Sequence, residues 1–464
     1  VKEVFMRVLL TTLGALVSSA VFFAQDVGYA QSAATATVYE GARVITGNGS
    51  APIENAAFVV ENGKFTAVGR RGEIRVPAGA ARRDLTGKTV IPALVDGHSH
   101  IGYVKDLSTS AANYTRENIL DHMYRFAYYG VAASQAMGSD FGELPYTLRD
   151  ELMAGKYPDA ARFITAGKGL APLSEISADN MRHAAYVVTT EEGARAAVAE
   201  LAARKVKIVK TWVDDRGGSN KNKLAPNLYR AIIDEAHKHN LKVAAHATGL
   251  EDAKDLLRAG LDLFAHMIRE VDDELVALFK QHPNAAVLPA LAAPRLSVYS
   301  PYLNPPVPLL SDTISPGMIK RVQDRLANAT PQSRQQSQQA WESLAKGVAK
   351  LNAAGVKLGL GTDGGGMNGG FIGWTAHTEL ENLVAAGLTP AQVIVLATKN
   401  TAEILGIDEL GMVASGKSAD FIVLDANPLD DMANVHRISR VYLRGKEVDR
   451  AAMRARWNSS RTSP

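Results

Sequence analysis

This sequence predicts an α/β fold: a (β/α)8 barrel of the TIM type, carrying a small β-sandwich domain formed from both chain ends. Three observations lead there. Apolar, strand-like runs alternate with stretches of 3.6-residue periodicity through the middle of the chain. Short strand-like runs set off by Gly, Asn and Pro occur near both ends. Polar residues able to bind metal stand at the C-terminal ends of successive predicted strands, the end that carries the chemistry in such barrels.

The first element is a leader, residues 1–30. Lys2 and Arg7 precede an apolar stretch, Val8 to Ala24, broken by Thr11, Thr12, Ser18 and Ser19. Gly28-Tyr29-Ala30 then offers small residues where a signal peptidase reads, so the mature chain is expected to start near Gln31 and to be exported, to the periplasm or outside the cell. An uncleaved anchor is the alternative, although the run is short for a span of about 20 residues. There is no cysteine, which closes the lipoprotein route and a disulfide framework alike. No later segment is long and apolar enough to cross a bilayer, so no stable membrane span is expected after cleavage.

The next elements are the terminal strands, 31–88 and 408–464. Thr37-Val38-Tyr39, Ala42 to Ile45, Ala57 to Val60 and Phe65 to Val68 read as strands and tight turns. Ala419 to Leu424 and Val441 to Val448 match them at the far end, and the two sets are expected to pair into one composite β-sandwich.

Between them, 89–407, lie the barrel units. Strands are expected from Thr89 and Val131, then near Arg162 to Thr165, Val206 to Trp212, Leu241 to His246, Leu261 to Ala265, Ala285 to Pro289 and Val356 to Gly361. Helical patterns include Glu191 to Arg204, Pro226 to His239 and Glu251 to Ala259. An open doubly wound sheet is the rival, but no Gly-rich phosphate turn follows the first strand. Residues 294–339 are rich in Pro, Ser, Asn and Gln and read either as a lid over the barrel mouth or as a solvated insertion.

Composition narrows the function. The chain has 464 residues, 46% of them apolar and 21% charged, which suits a globular enzyme with a large core. Its net charge of +3, from 51 basic and 48 acidic residues, is too balanced for a nucleic-acid or anionic-membrane binder.

Six residues make the chemical argument: His98, His100, Lys210, His246, His266 and Asp363. His98 and His100 lie in Val95-Asp96-Gly97-His98-Ser99-His100; two residues apart on a strand, they face the same way and can grip one ion. Lys210 falls late in strand four, and His246, His266 and Asp363 end strands five, six and eight. Lys207 is three residues from Lys210 and faces the opposite side, and Lys205 lies at the strand entrance. A pair of divalent ions with a bridging water is suited to hydrolysis. The other histidines (His122, His183, His237, His239, His282, His377 and His436) fall on helices or loops and read as core or surface residues. His377, opening a helix after the strand-eight loop, could also reach substrate.

These motifs resemble the metal-dependent amidohydrolase superfamily, in particular its imidazolonepropionase-related, prolidase-like branch. Gly97-His98-Ser99-His100 carries most of the likeness, with Gly361-Thr362-Asp363 and Leu410 to Asp420 next; Glu379-Leu380, Leu388-Thr389-Pro390 and Ala397 to Asn400 add to it. The resemblance implies that His98, His100 and Asp363 hold a buried metal and that His246 and His266 hold an outer one. It also implies that a carboxylated Lys210 bridges the two. Zinc suits such nitrogen and oxygen donors, and manganese or cobalt could replace it. One departure stands out: where close relatives often carry His-Ala-His-Gly, this chain has His246-Ala247-Thr248-Gly249.

The reaction so implied is hydrolysis of a C–N amide bond in a dipeptide or N-acyl amino acid, with Asp363 taking the proton from water and passing it to the departing amine. A carboxylate-bearing small-molecule substrate calls for a cation or hydroxyl near the mouth, for which Arg269, Arg295, Tyr103 and Tyr229 are candidates alongside His377. A lactonase or ester hydrolase fits the same barrel. So does a mononuclear deaminase, although Lys210 argues against it. An inactive barrel acting as a binding protein would usually have lost one of the six residues. Barrels of this kind often form a homo-oligomer, but no residue here marks an interface.

Overall fold

The computed structural model describes residues 36–173, 185–214, 222–292, 308–365 and 371–462. The expected leader, 1–30, lies outside them. Strands from the two ends of the chain meet in one sheet. The N-terminal side gives Thr37–Val44 (β1), Ile53–Glu61 (β2), Lys64–Arg70 (β3), Ala81–Asp84 (β4) and Thr89–Pro92 (β5). The C-terminal side gives Phe421–Leu424 (β18), Ile438–Leu443 (β19) and Lys446–Glu447 (β20). Their order is β20-β19-β18-β5-β1-β2-β3, with β4 beside β1. The seam is β5, parallel to β1 and antiparallel to β18 through Ile91 and Ile422. The β2–β3 hairpin turns at Asn62-Gly63, with φ of 51° and 74°, the left-handed pair that a two-residue turn requires.

Alternation along these strands sends Tyr39, Phe58, Phe65, Phe421 and Tyr442 to one face. Tyr39 stacks on Phe58 at 4.9 Å and Phe421 on Tyr442 at 4.4 Å between centroids, contacts that contribute about 0.5–1.5 kcal/mol each beyond burial. The sheet curls around this cluster, so that Lys64 bridges Ser418. The expected sandwich is thus one sheet rolled on itself. Thr89–Pro92, expected to open the first barrel strand, belongs to this sheet instead. Pro92 ends β5, and the chain changes layer at Ala93.

The parallel layer begins at Leu94–Ser99 (β6). A short hairpin, Val104–Lys105 (β7) and Ser108–Thr109 (β8), follows, then Val131–Ala136 (β9) and Arg162–Thr165 (β10). Next come Leu170–Ala171 (β11), Tyr186–Val187 (β12), Ile208–Trp212 (β13), Lys242–His246 (β14), Leu263–Phe264 (β15), Ala286–Val287 (β16) and Lys357–Leu358 (β17). They form two sheets, ordered β10-β9-β6 and β12-β11-β13-β14-β15-β16-β17, and every ladder in both is parallel. Beyond β17 the chain runs beside β6: Gly97 N–H donates to Leu360 O at 2.8 Å and His100 N–H to Gly364 O at 2.7 Å. Among the described residues no ladder joins β10 to β13. β6, β9, β10 and β13 are buried along their whole length, as strands covered on both faces are.

Helices cross between these strands: Arg116–Tyr128 (α1), Leu144–Met153 (α2), Glu191–Ala203 (α3), Pro226–Lys238 (α4), Leu250–Arg258 (α5) and Asp273–Gln281 (α6). Side chains of Thr115, Thr190 and Asp272 cap α1, α3 and α6 by accepting from free first-turn amides. The three helix patterns read from sequence match α3, α4 and α5 to within a residue at each end.

The described part of 294–339 is helical: Pro308–Thr313 (α7), Pro316–Ala327 (α8) and the start of Pro331–Ala353 (α9). It docks on α1 and the β7–β8 hairpin. Tyr128 donates to Asp312 at 2.5 Å and Arg321 to Leu107 O at 2.8 Å. These contacts fit a packed insertion; the Pro-rich stretch 293–307, where a lid would sit, lies outside the described residues. Trp374–Ala385 (α10) follows the last parallel segment, then Pro390–Val395 (α11), Thr401–Leu405 (α12) and Arg450–Thr462 (α13). No helix among the described residues is long and apolar enough to cross a membrane.

Candidate metal centre

His98 is buried on β6, and its Nδ1 lies 2.7 Å from the carbonyl of Ala265. A carbonyl can only accept, so Nδ1 carries the proton and Nε2 keeps its lone pair. That nitrogen makes no hydrogen bond and stands 3.5 Å from Asp363 Oδ1. A buried imidazole held in one tautomer by a carbonyl, with its other nitrogen free to ligate, is the usual posture of a metal ligand.

His100, two residues on, faces the same carboxylate: its Nε2 is 3.0 Å from Asp363 Oδ1, and its Nδ1 is 3.0 Å from Ser139 Oγ. Asp363 takes a left-handed φ of 52°, which turns its side chain back over the strand end. Burial alone would raise its carboxyl; the His100 hydrogen bond and the charges of His100, His98 and His266 pull it well below the usual range.

His266, just past β15, completes a cluster in which the ligand atoms of His98, His266 and Asp363 all lie within 4.8 Å of one another. Its ring is 4.8 Å from that of His98 and 4.2 Å from that of His246, between centroids. His246, ending β14, reaches the group by that contact, while its Nε2 lies 3.6 Å from Asp214 Oδ2. Lys210 is fully buried on β13. Burial first, then the Lys210 charge, holds His98 far below its ordinary pKa. Of the six residues picked from sequence, His98, His100, His266 and Asp363 converge, His246 packs on His266, and Lys210 is buried on β13 beside Gly138. Four imidazoles and a carboxylate are a nitrogen and oxygen donor set that fits a divalent ion.

Several supporting residues escaped the sequence reading. Asp96 is buried and accepts from Thr362 Oγ1 at 2.7 Å and from the amides of Thr362 and His98 at 3.1 Å; burial pushes its carboxyl up to about 7. It thus locks the segment carrying Asp363 to the strand carrying His98. Its place in the Val95–His100 motif was the available signal. Gly138 makes room for Lys210: with φ at 85°, a Cβ there would stand 2.6 Å from the Lys210 Cβ. Ser139 and Asp214 carried no motif.

The substrate candidates fare differently. Tyr103 is buried and gives its hydroxyl proton to Ser139 O at 2.6 Å, so its expected role as a donor to substrate is withdrawn. Tyr229 is buried on α4, with Asp255, Arg230, Asp252 and Lys223 as its charged neighbours. His377 is buried on α10, bonds Tyr129 O at 2.7 Å and packs beside Trp374 and His436; it is a core residue and not a substrate contact. Arg269 is half-exposed, 3.7 Å from Asp214 Oδ1. Arg295 lies outside the described residues. A cavity of about 650 Å³ opens on the flank of the fold, lined by His122, Arg125, Ile314, Met318 and Trp457 among others, and it includes none of the clustered residues.

Comparison with known proteins points to the amidohydrolases. The model of the amidohydrolase family matches residues 309–448. A solved structure from Bifidobacterium longum, provisionally called a prolidase, is 27% identical with a TM-score of 0.72, covering 92% of this chain and 99% of that one. An uncharacterized protein from Mycobacterium bovis is 28% identical over 217 residues, 46% of this chain and 53% of its own length. A 5-methylthioadenosine/S-adenosylhomocysteine deaminase from Moorella thermoacetica is 39% identical over 124 residues, 23% of this chain and 28% of the relative. The match spans about half the length, or less, of these curated relatives.

Proposed function

We propose that this chain, which carries an amidohydrolase-family segment on the fold of prolidase-like amidohydrolases, is a binuclear metal-dependent hydrolase. It cleaves the C–N amide bond of a dipeptide or N-acyl amino acid. Its family members use divalent metals and act on carbon–nitrogen bonds, which supports the general class. The single observation that carries the reading is the convergence of His98, His100, His266 and Asp363, with the lone pair of His98 Nε2 directed by the Ala265 carbonyl.

In this reading His98, His100, His246, His266 and Asp363 would hold two divalent ions, and Lys210, carboxylated on its amine, would be a further ligand. When bound, the ions supply Lewis acidity and a nucleophile at neutral pH. The chain supplies the rest. Asp363 takes the proton of the attacking water and returns it to the departing amine nitrogen. Ser139 and the Ala265 carbonyl hold the rings of His100 and His98 in place. A closed (β/α)8 barrel is the architecture that sets these residues on one rim. The hydrogen bonds of Gly97 and His100 to the segment after β17 support closure on that side.

The test is a screen of dipeptides and N-acyl amino acids with metal analysis on the same sample. Two metal equivalents and amide cleavage are expected; cleavage of lactones alone would end the proposal. A deaminase is the second reading, favoured by the 39% identity to the Moorella enzyme, and a single metal equivalent would select it. We also propose export, on the reading of residues 1–30; N-terminal sequencing of the native protein should then start near Gln31.

A further inference from the structure

Lysines gather at the N-terminal ends of the parallel strands, opposite the metal cluster. Lys242 opens β14 and His246 closes it, so the two mark the two faces. Lys207 stands just before β13, and Lys357 opens β17. Lys399 leads into α12, and Lys417 lies ahead of β18. Two of these lysines have a structural task. Lys207 donates to Gly406 O and Lys242 to Ile404 O at 2.6 Å, which satisfies the carbonyl end of α12.

The other three surround an open space. A cavity of about 480 Å³ is lined by Lys357, Lys399, Glu403, Asp408, Met412 and Lys417, among others. Its volume falls in the range of small-molecule sites. Lys357 and Lys399 share one carboxylate, at 3.1 Å from Glu403 Oε2 and 2.9 Å from Glu403 Oε1. Lys417 donates to the backbone carbonyl of Asp408. An ammonium has three donors, so each of these lysines keeps donors for another acceptor. The side chains of Lys357 and Lys399 are 40% and 36% exposed, so a ligand can reach them.

The charge at this end is unbalanced. The cavity wall supplies two carboxylates, Glu403 and Asp408. Asp262, before β15, is already engaged by His237 at 2.9 Å and by the Val243 amide at 2.8 Å. The ammonium groups also oppose one another. Burial holds Lys242 below its ordinary pKa; Asp262 and Asp408 work against that shift, while Lys357 and Lys207 add to it. A multiply charged anion in the cavity would offset this repulsion. The cations of the wall are all lysines, and that narrows the anion. A guanidinium fork matches a planar carboxylate, whereas an ammonium is a compact point charge with rotating donors that suits a tetrahedral phosphate.

We infer that this cavity is a second binding site, which takes a small molecule bearing a diphosphate group on Lys357, Lys399 and Lys417. The site lies at the opposite strand ends from the metal centre and does not depend on the reaction proposed there.

The experiment is equilibrium dialysis of the metal-loaded full chain against inorganic pyrophosphate at fixed ionic strength, with metal content measured on the same samples. It compares wild type with K357Q, K399Q, K417Q, E403Q and D363N. Wild type is expected to bind about one pyrophosphate per chain, and each lysine variant to bind it about 10-fold more weakly, the loss of one charge-assisted hydrogen bond. Partly exposed ion pairs contribute little to stability, so these variants should melt within a few degrees of wild type. E403Q should tighten binding several-fold by releasing Lys357 and Lys399, a gain that a purely structural role for the cluster would not give. D363N should bind as wild type does. Unchanged affinity in all three lysine variants overturns the inference, as does the absence of saturable binding. Binding that D363N abolishes, or that falls in step with metal content, would place the anion on the metal centre and overturn it too. Citrate held as tightly as pyrophosphate would remove the phosphate class.

Discussion

Arg162 and Asp420 form a two-point ion pair in the interior: Nη1 to Oδ1 at 2.9 Å and Nη2 to Oδ2 at 3.2 Å, with the side chains 6% and 2% exposed. Arg162 opens β10 and Asp420 leads into β18, so the pair bolts the parallel layer to the sheet made from the chain ends. The Arg162 guanidinium also donates to Ser418 Oγ at 3.0 Å, and the Arg444 amide donates to Asp420 at 3.1 Å. Coulomb attraction in such a place is largely offset by desolvation, but removing one partner strands the other charge. Asp420→Asn should therefore cost about 3–5 kcal/mol, read as a lower urea midpoint at unchanged slope. Arg162→Met with Asp420→Leu should cost less than the two single changes together. Additive losses would show that the two residues do not act as a pair.

Asp363 allows a clean separation of chemistry from folding. Its left-handed φ of 52° is one that asparagine tolerates. Asp363→Asn should melt within a few degrees of the wild type yet lose about 10²- to 10⁴-fold in turnover of an amide substrate, the range of a general acid–base group. A variant retaining more than a tenth of wild-type kcat would take Asp363 out of the proton path.

The Lys210 position can be attacked from two sides. Lys210→Met keeps the apolar stem and removes the amine. Gly138→Ala leaves the lysine in place but puts a Cβ 2.5 Å from its Cγ, at a backbone φ of 85° that disfavours any side chain. If Lys210 bridges two ions, metal content in Lys210→Met should fall from about two equivalents towards about one. Gly138→Ala should move the same way. Two tightly held equivalents in Lys210→Met would exclude a bridging role.

How much of this was legible depends on what kind of signal each part leaves. The strands carrying His98, Lys210 and His246, and the strand ends before His266 and Asp363, were readable because short, largely apolar segments recur along the chain and each metal-binding residue stands late in one or just past it. The layer change at Pro92–Leu94 was not. Thr89 to Leu94 is one apolar run, but its first four residues pair with β1 and β18, and only tertiary pairing divides it. Ser139 and Asp214 were invisible for another reason: each acts through hydrogen bonds to residues distant in sequence, such as His100 for Ser139. Tyr103 was misread because a polar group near a predicted mouth is silent about burial, and its hydroxyl is spent on a backbone carbonyl. His377, read first as a core or surface residue, is a core residue.

Glu379 gives a pH test that does not depend on metal. It is fully buried on α10 and accepts the Leu291 amide at 2.7 Å, just after β16; burial pushes its carboxyl from 4.5 up to about 8. In the unfolded chain the group ionises near its ordinary value. Between the two values the unfolded state has released a proton that the folded state still holds, so stability must fall as pH rises through that window and level off above it. Glu379→Gln keeps an acceptor for the Leu291 amide and removes the titration. The variant should therefore gain on the wild type between about pH 5 and about pH 8, by on the order of 2–4 kcal/mol in urea unfolding. Parallel stability–pH curves for the two proteins would mean that Glu379 ionises as easily inside the fold as outside it. The loop that leads away from β16 would then be held by a charged carboxylate and not by a neutral acid.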